Sequence, residues 1–151
     1  MRPLARSRVI AAPSEEVWSL IADPYDLPRW WPRAARVEAV RDTSDGRPRS
    51  WTMVLETRRG SIVRADYRSV SSRHGAGCVW EQDLEGTPFE GLLRSNRVSI
   101  GLSAVAEGTE VTISSKQTLR GLSRLGGVMA RRAASRTLQE ALDGIERALV
   151  K

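Results

Sequence analysis

Apolar residues recur along this chain at a helical spacing, then an alternating one, then a helical one again. Arg8 to Ala12 is short, partly alternating and β-branched, and Pro13 stops it, so it reads as a strand running into a helix. From Ser14 to Asp23, Val17, Leu20 and Ile21 fall at i, i+3 and i+4, with Glu15 and Glu16 in the first turn, where they favour the positive end of the helix dipole. Pro24 ends that helix. Tyr25 to Trp31 reads as a second short helix bounded by Pro24 and Pro32 and bent by Pro28, so the two pieces form a V-shaped pair.

A strand-and-turn rhythm follows from Ala35 to Leu119. Its expected strands are Val37 to Val40, Trp51 to Thr57, Ile62 to Val70, Cys78 to Leu84, Leu92 to Leu102 and Val111 to Leu119. Turn signals such as Ser44-Asp45-Gly46, Arg59-Gly60 and Glu107-Gly108 separate them, and such short connections favour consecutive antiparallel pairing. Alternation sorts the faces: Trp51, Met53 and Leu55 point one way, Thr52 and Glu56 the other.

From Leu122 the period lengthens again. Leu125, Met129, Ala133, Leu138, Ala141, Leu142, Ile145 and Leu149 fall near one stripe of a helix expected from about Ser123 to Leu149. Such a helix is long enough to cross the whole sheet, and Gly126-Gly127 loosens its start. The expected class is α+β, in the order β-α-α-β6-α, with about seven antiparallel strands and a long C-terminal helix, in one domain over residues 1–151.

Composition removes several classes of function. The longest apolar run, Val9 to Ala12, is far too short for a spanning helix or the core of a secretory signal, so the reading is a cytoplasmic protein. A single Cys (Cys78) and a single His (His74) supply neither an intrachain disulfide nor the ligand set of a zinc site, and no metal or cofactor is expected. The net charge of +6 is almost all arginine, since Lys116 and Lys151 are the only lysines. Acids intersperse these arginines, which speaks against nucleic acid. The densest basic cluster, Arg120, Arg124, Arg131, Arg132 and Arg136, reads mainly as a solvated helix face, with transient contact to an anionic membrane as the alternative.

The stretch Val9-Ile10-Ala11-Ala12-Pro13-Ser14-Glu15-Glu16-Val17-Trp18, followed by Asp23, Leu27-Pro28 and Trp30-Trp31-Pro32, resembles the START-like (SRPBCC, helix-grip) superfamily, in particular its bacterial polyketide cyclase/dehydrase and lipid-transport branch. The resemblance spans nearly the whole chain and is sharpest from Ala12-Pro13 to Trp30. It implies a cavity between curved sheet and long helix that receives a lipid, a polyketide or another hydrophobic molecule. It extends to carriers, receptors and enzymes alike, so the fold alone does not choose among them.

The inward strand positions supply an apolar pocket with a few polar groups, the usual form of a small-ligand site. Trp51, Met53, Tyr67 and Trp80 are its expected apolar walls, and Gln82, Asn96, Ser115 and Gln117 its polar members. Gln82 and Gln117 either pair with each other or the backbone, or meet a ligand or bound water. Trp30 and Trp31, about 100° apart on a short helix, are expected to divide between core and cavity mouth. Phe89 follows Thr87-Pro88 as a lid contact or a residue buried under its loop, and Met129 suits an adaptable wall or plain core. Trp18 belongs to the core, and His74 to an exposed loop.

Three functions compete. The first is a monomeric or dimeric carrier of a hydrophobic small molecule. The second is an aromatase/cyclase-type enzyme, for which the resemblance implies an internal arginine with Tyr or Trp neighbours. Arg68 and Tyr67 are the nearest counterparts, but alternation directs Arg68 outward, so no catalytic residue is assigned. The third is a quinone- or ribosome-associated accessory protein using the basic helix.

Overall fold

The structure, a computed structural model, describes residues 3–121 and 124–150, with the side chains of all of these except Arg124 and Leu125. The expected helix start at Leu122 and Ser123, the stripe position Leu125 and the basic side chain of Arg124 therefore lie outside what is described.

Strand β1 (Leu4–Ile10) leads to helix α1 (Ser14–Ala22), a 3₁₀ turn (Pro24–Asp26) and the single-turn helix α2 (Leu27–Trp30). Strands β2 (Ala34–Asp42), β3 (Pro48–Glu56), β4 (Ile62–Arg73), β5 (Gly77–Asp83), β6 (Leu93–Val105) and β7 (Gly108–Leu119) follow, and helix α3 (Arg124–Leu149) closes the chain. The seven strands form one antiparallel sheet in the order β1-β7-β6-β5-β4-β3-β2, the α+β helix-grip arrangement expected from the sequence.

Most boundaries move by a few residues from the sequence reading, β3, β4, β6 and β7 each extending about three residues further at one end, and three of the differences have a clear local reason. β1 begins at Leu4 rather than Arg8, because Arg6 and Arg8 share the inward phase of Leu4 and Ile10 and mask the alternation. Arg8 reaches Asp143 of α3 at 2.6 Å, and Arg6 donates to Ser135 Oγ at 3.0 Å. β2 runs well beyond Val37 to Val40, but its register against β3 shifts near Ala39, whose φ of +52° breaks the regular pleat. The second helix is shorter than Tyr25 to Trp31: Asp23 accepts a hydrogen bond from the Tyr25 N–H and starts the 3₁₀ turn, while Trp31 is already extended at ψ 130°.

The core lies between the concave face of the sheet and the helices. Val17, Trp18, Leu20 and Ile21 pin α1, and Leu138, Ala141, Leu142 and Ile145 bury the second half of α3 to 1% exposure or less. The first half of α3 differs. At about 100° per residue, Met129 is carried half a turn round from Leu138, so the stripe read from the sequence slips between them. Met129 is 63% exposed, and the sheet-facing positions there are Ala130 and Ala134, too small to reach the strands below. No helix among the described residues is long and apolar enough to cross a membrane.

Candidate functional site

Large side chains at one end of α3 and alanines at the other leave a hollow. It measures about 610 Å³, and its lining includes Phe89 and Leu92 of the loop after β5 and Ala130 to Glu140 of α3, with Arg33, Glu56, Leu92 and Arg136 as exposed members. Its floor is built by cross-strand neighbours. Tyr67 on β4 pairs in register with Gln82 on β5, Asn96 on β6 with Gln117 on β7, and Val98 with Ser115. Together they lay a polar band across four strands, framed by Ala65, Val98 and Leu93 and roofed by Ala130, Ala134 and Leu138.

The band has one internal hydrogen bond among its amides. Asn96 Nδ2 donates to Gln82 Oε1 at 2.9 Å, and both side chains are buried, at 8% and 5% exposure. Gln82 Nε2 and Asn96 Oδ1 are left without a partner. Of the alternatives open for Gln82, pairing with Gln117 is not the one observed: Gln82 lies one step past the Glu81–Arg97 register pair, which sets it beside Asn96. Gln117 lines the cavity and is only partly buried.

Tyr67 is the one titratable residue among the buried members of the lining. Burial pushes its phenol well above the ordinary range, so it stays protonated and acts as a hydrogen-bonding group rather than a base. Arg33, Glu56 and Arg136 line the cavity from exposed positions, and Glu140 from a partly buried one on α3.

Aromatic rings close the inner end. Trp80 stands among Trp31, Tyr67 and Trp51 at centroid distances of 5.2, 5.4 and 5.7 Å, and Trp30 meets Trp31 at 5.6 Å. Beyond this cluster lies a second, smaller cleft of about 250 Å³, with Ile21, Leu27 and Cys78 in its walls. Burial pushes the Cys78 thiol up to about 11, partly offset by a hydrogen bond from Trp80.

The expected site residues therefore divide. Trp31, Tyr67, Gln82, Phe89, Asn96, Ser115 and Gln117 come together around the main cavity. Trp51 and Trp80 line the smaller cleft instead, because their rings form the partition. Met53 is fully buried and borders neither space, Trp30 is packed in the core at 1% exposure, and Met129 points to solvent. Trp30 and Trp31 thus take different places, Trp30 in the core and Trp31 in the cavity lining, although both are buried and Trp31 already stands past the end of α2. Sequence reasoning missed Ala130 and Ala134, whose signal was a run of small residues at core phase in an otherwise large-residue helix.

The outer face of the sheet carries the ion pairs. Glu81 lies between Arg68 and Arg97, 2.7 Å from each, and these partners, the Arg97 hydrogen bond foremost, hold its carboxyl below the usual range. Arg68 is accordingly outside the cavity, as alternation predicts. His74 is an exposed turn residue against the ring of Trp18, at 5.6 Å.

Comparison with known proteins gives one family: the model described as polyketide cyclase / dehydrase and lipid transport matches residues 1–150. Among solved structures, a START superfamily protein from Mycobacterium smegmatis superposes with a TM-score of 0.81 at 14% identity, over 97% of this chain and 96% of that one. The di-domain ARO/CYC StfQ of the steffimycin biosynthetic pathway gives 0.79 at 16% identity, over 97% of this chain and 50% of its own. The protein XoxI from Bacillus cereus gives 0.74 at 19% identity, over 100% and 97%. No curated protein matches the sequence.

Proposed function

Because the chain belongs to the polyketide cyclase / dehydrase and lipid transport family, we propose that it binds and carries a hydrophobic small molecule in the cavity between sheet and α3. The observation that carries this reading is the 610 Å³ hollow itself, walled by Leu55, Val63, Ala65, Val98, Ala134 and Leu138, with charged residues such as Arg33, Glu56 and Arg136 at exposed positions, and crossed by a narrow polar band. Trp31, Tyr67, Phe89 and Ala134 supply shape, and Gln82, Asn96, Ser115 and Gln117 orient the ligand. Native mass spectrometry of the purified protein, followed by denaturing extraction, tests it: a co-purifying apolar compound supports carriage. A cavity that neither retains such a compound nor takes up a neutral apolar dye would overturn it.

Cyclase chemistry is the less supported reading. It asks for proton transfer at the reacting carbons, and the only buried titratable lining residue is Tyr67, which burial holds protonated. Arg68, the nearest counterpart of an internal arginine, is tied to Glu81 on the outer face.

In the carrier reading the ligand is exchanged at a lipid surface. Val128 and Met129, 51% and 63% exposed, share a stretch of α3 with Arg132 and Arg136 close to the cavity. Apolar side chains beside arginines suit brief contact with an anionic headgroup layer.

A further inference from the structure

We propose that the cavity selects apolar molecules whose head group is uncharged and presents a hydrogen-bond acceptor and a donor side by side, as a primary carboxamide or a protonated carboxyl does, and that Gln82 and Asn96 read this pair. The inference rests on the carrier reading and narrows it to a class of head group.

Two carboxamides joined by one hydrogen bond leave a fixed remainder. With Asn96 Nδ2 donating to Gln82 Oε1, the free atoms are Gln82 Nε2, a donor, and Asn96 Oδ1, an acceptor. Exchanging the O and N positions of both amides reverses the bond and again leaves one donor and one acceptor. The complement demanded of a ligand is therefore the same for either assignment: an acceptor facing the N–H and a donor facing the carbonyl. Both side chains are more than nine-tenths buried and both line the cavity. Leaving such groups unpaired is unfavourable, and a ligand that satisfies only one keeps the other stranded.

Charge sets the second half of the specificity. Arg33 and Arg136, the basic groups of the lining, are exposed, whereas the buried floor around the amides is uncharged, with Tyr67 held neutral by burial. A carboxylate or ammonium placed there would lose its hydration with no buried counter-charge to replace it. An uncharged head group escapes that penalty.

The test displaces the neutral dye Nile red with a matched set: decanamide, N,N-dimethyldecanamide, methyl decanoate and decanoic acid. Decanamide offers acceptor and donor, whereas the dimethylamide and the ester keep the acceptor and lose the donor. Wild-type protein is expected to bind decanamide at least about tenfold more tightly than either. Decanoic acid is expected to gain affinity as the pH falls from about 8 towards about 5, as its protonated form grows. In the Gln82→Leu/Asn96→Leu double variant, checked for fold by circular dichroism and with each affinity read against the variant's own dye affinity, the preference for decanamide over the dimethylamide should fall to about onefold. Equal affinity of the wild type for decanamide and the dimethylamide would overturn the head-group inference while leaving apolar carriage intact. So would a preference that survives the double substitution. If no probe binds, Nile red included, the carrier reading fails and the inference with it. The wild-type ratio decides the question even where the double variant does not fold.

Discussion

Gly144 of α3 lies directly against the backbone of Trp30 in α2: a Cβ built on Gly144 would meet the Trp30 carbonyl oxygen and come within 2.7 Å of its Cα. This contact is what brings α3 down onto the short helices and fixes the packed end of the molecule. In a free helix Gly→Ala would add about 1 kcal/mol of helix propensity, but here the methyl group collides with main chain, which cannot rotate away. Gly144→Ala is expected to lower stability by about 1–3 kcal/mol, read as a fall in the urea midpoint. A raised midpoint would mean that the two helices are not in close contact.

Ala134 roofs the cavity at 9% exposure, whereas Met129 faces solvent. Ala134→Phe is expected to occupy the hollow, abolish Nile red uptake and leave the melting temperature unchanged or higher. Met129→Gln should alter neither. Undiminished dye binding by Ala134→Phe would place the ligand elsewhere, the cleft beyond Trp80 being the first alternative.

The Glu81 carboxyl, held low by Arg97 and Arg68, favours the folded state while it is ionised. Its contribution is present above the unfolded-state value of about 4.3 and is lost as the pH falls through the lower folded value. The arginines are about half exposed, at 52% and 49%, so the contribution is about 0.5–1 kcal/mol. Glu81→Gln should cost that amount at neutral pH and flatten the acid limb of the stability curve. An acid limb identical to the wild type would show that the fork contributes nothing.

Contact with lipid is checked by co-flotation with vesicles. Binding is expected to vesicles containing phosphatidylserine, to be weak to purely zwitterionic ones, and to fall with added salt. Met129→Glu/Arg132→Glu should remove it while leaving Nile red binding in place. Equal binding to both vesicle types would argue against an electrostatic contact.

Much of this architecture is written in local pattern. The prolines at 13, 24 and 32, the alternation of β3 to β7 and the stripe from Leu138 to Leu149 give the element order directly, because each marks a backbone state or a buried face. The inward polar residues are legible for the same reason: Gln82, Asn96, Ser115 and Gln117 share the phase of apolar neighbours. What pattern did not carry was which side chain meets which. That Asn96 rather than Gln117 bonds Gln82 depends on register across β5 and β6, and that Trp51 and Trp80 turn from the main hollow depends on how five rings share one space. The start of β1 is hidden because two arginines occupy inward positions, Arg8 paired with Asp143 and Arg6 hydrogen-bonded to Ser135 on a helix more than a hundred residues away in the sequence.

The ring cluster gives the protein a built-in optical signal. Trp30, Trp31, Trp51 and Trp80 stand close enough to pass excitation among themselves, and Trp31 and Tyr67 form part of the cavity lining. A guest settling there alters the surroundings of rings whose emission is shared, so filling and emptying register in native fluorescence without any attached label.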